Sequence, residues 1–490
     1  MYMNRLLLFL IAALPLTGIA ASEPSFHLLA AFNDWKTDGA ASVVWHRPVC
    51  HPLNPILTAD RPWELNMAGD PYAAPFSGGV WLDGDRFRMW YSAGGGKRNG
   101  LITCYAESFD GVNWVKPELD VVPGTNIVDT LEHDCVTVLL DRHEKDAARR
   151  YKMFCVAFNT PSCVSMVLKY SPDGIHWSEP QALSGELYDR CSAYYDEPRG
   201  RYVLSLKHKH PRLGRTRNYL AGEDPEMLVS LAHRVYPGMT DKNIRYWFNA
   251  DSLDERHPRF PDIRPQIYNH DATAYAGGLL GQFVVWKGPE NGECNRLNIQ
   301  KRNEICLGWS DDGFHWKRPD RRAFIGVNDS VPGAWNAGNV QSVAGCPVVR
   351  GDSLYFYFSG RAESKPVHAS NFSTGLATMR RDGFASIRAD LGEGSAELSG
   401  AWGGFQGASS LYVNARSIPK GGGESWLRVE FLDGAGKALA GYETDAEVFD
   451  STELPLRFVS GKPVDSPEAD AVRSVRVTLR NAELFSLFVR

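Results

Sequence analysis

Three aspartates stand at equivalent points of a repeating pattern: Asp134 in Glu132-His133-Asp134, Asp189 in Asp189-Arg190, and Asp271 in Asn269-His270-Asp271. Each opens a short apolar run. Asp70, ahead of the first run in Asp70-Pro71, and Glu304, in Lys301-Arg302-Asn303-Glu304, complete a set of five carboxylates. Carboxylates converging on one point suit glycosidic cleavage. One protonates the leaving oxygen, a second attacks or activates water, and a third tunes pKa or holds the sugar. Glu304 begins a third strand on the same face and is the reserve candidate for the acid, although its basic neighbours lower its pKa and weigh against that role. Arg190, His270, Lys301, Arg302, Trp335, Asn339, Gln341 and Arg361 sit at matching places and are candidates for substrate binding.

The elements that must position these groups come from a repeat. Ser108-Phe109-Asp110-Gly111-Val112-Asn113-Trp114, Ser171-Pro172-Asp173-Gly174-Ile175-His176-Trp177 and Ser310-Asp311-Asp312-Gly313-Phe314-His315-Trp316 share the pattern S-x-D-G-x-x-W. Each has Pro three residues beyond the Trp. This is a tight turn: Asp caps the backbone, Gly takes the positive φ, and Trp packs between units. The aspartates at 110 and 173 are 63 residues apart, and those at 173 and 312 are 139 apart. Asp382-Gly383-Phe384, 70 residues on, is a weaker copy. Four steps of 68 therefore span the set, and one unit near residues 190–260 lacks the turn. Five aromatic-rich strands (Phe87 to Ser92, Tyr151 to Phe158, Arg201 to Leu206, Leu280 to Trp286, Leu354 to Ser359) give the same number. Each follows a strand with a polar start, at Ser77, Asp134, Asp189, Asp271 and Asn339.

Repeats of this size with Trp-containing turns predict an all-β fold, a five-bladed β-propeller over residues 60–388. Such a fold places its site on the axis where the innermost strands begin. Residues 22–59 read as a lead-in. Residues 389–490 carry period-two strands, such as Leu411 to Asn414, Trp426 to Phe431, Val475 to Leu479 and Leu484 to Phe488, separated by Gly-rich stretches such as Gly421-Gly422-Gly423. They predict a small C-terminal β-sandwich.

The chain has 53 basic and 58 acidic residues, and that balance argues against a nucleic-acid partner. Met1 to Ala21, with Arg5, an apolar run and small residues at Gly18-Ile19-Ala20, reads as a cleaved signal peptide of a secreted or periplasmic protein; Pro15 and Gly18 interrupt the run, which is too short to span a membrane. The mature chain is expected to be a monomer with no membrane span and no cofactor. Nine cysteines form no CxxC or CxxH pattern, so no metal site is expected. A Cys155–Cys163 disulfide stays open. The loops between the second and third strands of the units hold 13 basic residues against 3 acidic ones: among them Lys97, Arg98, Lys207, Lys209, Arg212, Arg215 and Arg217, then Lys287, Arg296, Lys301 and Arg302, then Arg361 and Lys365. A positive rim of this kind selects an anionic glycan, uronate-containing or sulfated.

These features together resemble glycoside hydrolase family 32 and its relatives in families 43 and 68. The resemblance implies a five-bladed propeller with a trailing sandwich, glycosidase activity on a carbohydrate substrate, and axial carboxylates. Asp70-Pro71 is similar to the family's first motif, Asn-Asp-Pro-Asn-Gly. His133-Asp134-Cys135 falls where Arg-Asp-Pro would lie, and Asp189-Arg190-Cys191 stands in place of Glu-Cys. Asp382-Gly383-Phe384-Ala385-Ser386 and Arg480-Asn481-Ala482-Glu483-Leu484 bring the chain nearest to secreted family-32-like proteins. Two other readings stay open: a glycan-binding propeller without catalysis, and a lyase in which a Tyr or His abstracts a proton beside a uronate.

Overall fold

The structure is a computed structural model that describes residues 26–97, 100–160, 163–236, 238–362, 371–400, 410–418, 424–465 and 471–490. The leader, Arg98, Glu363, Lys365 and the triple glycine at 421–423 lie outside the described residues. The chain is nearly all β. Its first part is a series of antiparallel meanders. The first comprises Ala73–Asp83, Arg86–Ala93 and Leu101–Ser108, and the second Ile127–Leu140, Tyr151–Thr160, Cys163–Ser171 and Ala182–Leu187. The third comprises Ser192–Asp196, Arg201–His210, Gly214–Gly222 and Arg245–Phe248, and the fourth Gln266–Tyr275, Gly278–Gly288 and Arg302–Ser310. In the fifth, Asn339–Gln341 and Val348–Arg350 both pair with Ser353–Arg361, followed by Phe372–Arg380. The short strand Val49–Cys50 pairs with Phe372–Arg380 and completes that sheet from the other end of the chain.

The repeated turns form as their composition dictates, and they hold the meanders to each other. Asp110 accepts the backbone N–H groups of Val112 and Asn113, both at 2.8 Å, while Ser108 accepts that of Gly111 at 2.9 Å. Asp173 and Asp312 do the same in their turns. The glycines have φ of 77°, 78° and 77°, which only glycine adopts cheaply. Each turn docks on a neighbouring meander. Trp90 of the first donates to the carbonyl of Gly174 in the second at 2.6 Å, and Trp247 of the third to that of Phe314 in the fourth at 2.7 Å. Tyr357 of the fifth donates to the carbonyl of Gly111 in the first at 2.8 Å, so the series meets its own beginning. The fifth meander's turn follows suit, because Tyr275 of the fourth donates to Asp382. The third meander, which lacks the motif, uses the helix Pro225–Leu231 instead. Asp224 caps it by accepting from Glu226 and Met227, and it packs on the second meander. The innermost strands contact one another in succession: Ala73–Asp83, Ile127–Leu140, Ser192–Asp196 and Gln266–Tyr275. Ser353–Arg361 returns to Ala73–Asp83.

Residues 26–45 of the lead-in supply two strands to the C-terminal sheet. Phe26–Leu29 and Lys36–Trp45 are strands of an eight-stranded sheet otherwise built from residues 385–489. Val475 to Leu479 and Leu484 to Phe488 belong to one strand, Ser474–Val489, because Asn481 takes a φ of 47° within the strand instead of turning the chain. Its apolar cluster, including Leu427, Val429, Val477 and Leu487, is separate from the clusters of the meanders. All nine cysteines are free thiols, Cys155 and Cys163 included. No helix among the described residues is long and apolar enough to cross a membrane.

Candidate active site at the strand starts

A pocket of about 250 Å³ opens where the innermost strands begin. Asp134, Asp189, Arg190, Tyr268, Lys301, Arg361, Tyr72, Phe372 and Asn66 are among its lining residues. Local irregularity aims several of them. Asp134 is the extra residue of a bulge, since His133 pairs with Ala157 and Cys135 with Val156. Tyr268 is another, between Ile267 opposite Val285 and Asn269 opposite Val284. Arg190 has a φ of 57° just before its strand starts. Bulges re-aim side chains next to sites, and a left-handed non-glycine residue marks a constrained one.

The floor is aromatic. Tyr72 stacks on Phe372 with ring centres 4.0 Å apart, and Phe76 lies edge-on at 5.4 Å. The Arg361 guanidinium lies 3.6 Å over Phe372, and that of Arg190 lies 4.4 Å over Phe76. Stacking fixes both planar forks. Arg190 also contacts Asp134, its backbone N–H at 3.1 Å and its Nε at 3.3 Å from one carboxylate oxygen. Its Nη1 is buried and has no hydrogen-bond partner among the described residues. Burial pulls the Arg361 guanidinium down to about 10, with Tyr72 and Tyr268 opposing, so it stays charged at neutral pH. Asp189 accepts a hydrogen bond from Lys207. Burial pushes its carboxyl up, but Lys207 first, then Arg190 and Lys301, hold it well below the usual carboxylate range. Four cations thus surround two carboxylates, and desolvated cations gain from an added anion.

The other candidates from the sequence lie outside the lining. Asp70 stands behind it, accepting from the Asn66 side chain at 3.1 Å. Asp271 is 1% exposed and accepts from Ser342 and, at 3.1 Å, from Asn269, which also reaches Ser77 at 2.6 Å. It knots the first, fourth and fifth meanders together. Burial raises its pKa, and bonds from Ser342, Ser77 and Ser192 offset this only in part. Glu304 is bound by Lys287 at 2.5 Å and Arg302 at 2.9 Å; burial raises its pKa, and these cations bring it below the usual value. Arg302 also pairs with Asp329. His270 points between meanders into Phe283, Trp316, Phe248 and Trp247, and burial drives its pKa well below the ordinary imidazole value. Trp335 stacks on Phe358. Asn339 donates to the Lys301 carbonyl at 2.9 Å, and Gln341 donates to Asn339 at 3.0 Å, so these two brace a pocket residue.

Much of the basic rim is spent on partners. Arg215 forms a fork with Glu290 at 2.7 and 2.8 Å, Arg296 pairs with Glu293, and Arg217 binds backbone carbonyls. A larger cavity, about 510 Å³, lies at the far ends of the same innermost strands and is lined by Trp81, Asp141, His143, Tyr194 and Glu197 among others. Its carboxylates are engaged, Asp141 by Lys152 and Tyr202 and Glu197 by His143. Sequence reasoning missed Tyr268, Tyr72 and Phe372. Tyr268 lines the pocket from the bulge between Ile267 and Asn269, which the sequence pattern does not reveal.

No protein-family model and no curated protein matches the chain. Among solved structures it is similar to an N-acetylgalactosamine deacetylase from F. plautii in complex with blood group B trisaccharide (12% identity, TM-score 0.44, 70% of this chain and 96% of that one). It is also similar to a putative glycoside hydrolase from Bacteroides ovatus (15%, 0.39, 69% and 96%). A third is the exo-inulinase of Aspergillus awamori (9%, 0.36, 88% and 99%). The pocket's own residues, not these likenesses, carry the functional reading.

Proposed function

We propose that this chain is a secreted five-bladed β-propeller glycosidase with a C-terminal β-sandwich, and that it hydrolyses glycosidic bonds of an anionic oligo- or polysaccharide in the pocket at the strand starts. The single observation carrying the reading is the pairing of Asp134 and Asp189 in one pocket with Arg190, Arg361 and Lys301. The cations bind a carboxylate or sulfate of the sugar, with the unpartnered Nη1 of Arg190 as one donor. The aromatic floor supports the apolar face of a sugar ring. Asp189, kept ionised by Lys207, takes a proton from water or attacks the anomeric carbon, and Asp134 flanks the same centre. Incubation with matched anionic and neutral oligosaccharides, followed by product analysis, tests this. The expected products are two sugars with hydroxyls at the cleaved bond, and Asp189→Asn lowers turnover by about 10²-fold or more. An unsaturated, ultraviolet-absorbing product points to elimination instead. Sugar binding without any product points to a glycan-binding role.

A further inference from the structure

The hydrolytic reading leaves one role unfilled. The leaving oxygen needs a proton, and both pocket carboxylates act as acceptors: Asp189 from Lys207, and Asp134 from the Arg190 backbone. Asp271 and Glu304 are sealed elsewhere by Ser342 and by Lys287. A different hydroxyl faces the pocket. Tyr268 lines it from the bulge in Gln266–Tyr275 and is 4% exposed. Lys301 Nζ donates to its phenol oxygen at 3.0 Å and lies 4.9 Å from the ring centre. No described residue accepts the phenol's own proton, so that proton is free to leave toward a ligand.

We propose that Tyr268, with Lys301 beside its oxygen, is the catalytic acid that protonates the leaving glycosidic oxygen, an inference that rests on the hydrolytic reading of this pocket. The Tyr268 O–H bond breaks and its proton goes to the glycosidic oxygen. The bond from that oxygen to the anomeric carbon breaks, and its electron pair stays on the oxygen. A water oxygen bonds to the anomeric carbon, and its proton passes to a pocket carboxylate. That carboxylic acid then releases its proton to solvent and the phenolate takes one back, so one glycosidic bond and one water become two hydroxyls.

The surroundings suit the task. Burial raises the phenol's pKa, but Lys301 first, then Arg190 and Lys207, bring it down to about 8, with Asp189 opposing. Arg361 and Arg215 face it from the fifth and third meanders, and Arg217 holds its carbonyl. A phenol of this strength is protonated at neutral pH, and Lys301 stabilises the phenolate it becomes. Asn339 fixes the Lys301 backbone and so positions the pair.

The test pairs two substrates of one sugar: 4-nitrophenyl glucuronides, whose leaving group needs no proton, and the corresponding glucuronyl disaccharides. Tyr268→Phe is expected to slow the disaccharide by about 10²-fold or more while slowing the nitrophenyl substrate far less. Asp189→Asn slows both. In Lys301→Met the basic limb of the disaccharide profile moves to higher pH. Equal slowing of both substrates by Tyr268→Phe overturns the inference alone. If the wild type cleaves neither substrate, the hydrolytic reading falls and takes the inference with it. A titration of the near-ultraviolet tyrosinate band needs no substrate: wild type minus Tyr268→Phe shows one phenol ionising near pH 8. Its absence overturns the inference even if hydrolysis is found.

Discussion

Asp189 and Asp271 occupy equivalent places in the sequence repeat, yet their surroundings assign them opposite work. Lys207 keeps Asp189 ionised at the pocket, whereas Asp271 is buried among hydroxyls. Lys207→Met removes the main lowering influence on Asp189, so burial prevails and the acid limb of the pH–rate profile moves to higher pH. An unmoved limb would show that Asp189 does not set it. For Asp271 the folded pKa is raised, so the native state binds the proton more tightly than the unfolded one. Wild-type stability therefore falls relative to Asp271→Asn as pH rises from about 4 through the folded pKa. Thermal melts of the two proteins across that range check the sign. The sequence placed Asp134, Asp189 and Arg190 near one another because strand starts are readable from polar residues ahead of apolar runs, and it placed Lys301 and Arg361 near them through the loops between second and third strands. It set Asp271 beside them because period-two reasoning passes over the bulge at Tyr268, which changes what faces the pocket.

At the scale of elements, the S-x-D-G-x-x-W turn was legible because its chemistry is local. Asp, Ser and Gly each satisfy the backbone within four residues. What the turn docks on was not legible, since Trp90 and Gly174 are far apart in sequence. A Cβ on Gly174 would sit 2.4 Å from the Trp90 ring, at a φ of +78°. Gly174→Ala therefore combines a left-handed alanine with a clash and is expected to cost about 2–5 kcal/mol. Gly124, at a φ of +75° with nothing within 4 Å, is the control, and its alanine variant is expected to cost about 1–2 kcal/mol. Denaturant melts of both variants check this, and equal losses would mean that the docking contact adds nothing. The lost turn of the third meander was seen in the sequence as a gap. The capped helix at Pro225–Leu231 that fills it has too few residues for a clear period.

At the scale of the whole molecule, Asp382 ties the meanders to the C-terminal sheet. It accepts from Tyr275 of the fourth meander at 2.5 Å, from Ser486 at 2.5 Å and from His27 at 3.0 Å. The sequence showed a turn aspartate there but not these partners, which come from the fourth meander and from both ends of the chain. Burial pushes its carboxyl up, yet His27 and these hydrogen bonds hold it well below the usual range. A depressed folded pKa adds stability above the unfolded value of about 3.9 and loses it as pH falls below that. Asp382→Ala is expected to cost about 3–5 kcal/mol at neutral pH, and the gap from wild type narrows in acid. A gap independent of pH would contradict the ion-pair account.

The central claim is that one charged pocket cleaves an anionic glycan, and kcat/KM on matched anionic and neutral oligosaccharides at low and high salt tests it most directly. The account predicts faster turnover of the anionic member, weakened by salt, and loss of that turnover in Asp189→Asn. Equal rates on both members with no salt dependence, or full activity in Asp189→Asn, would contradict it.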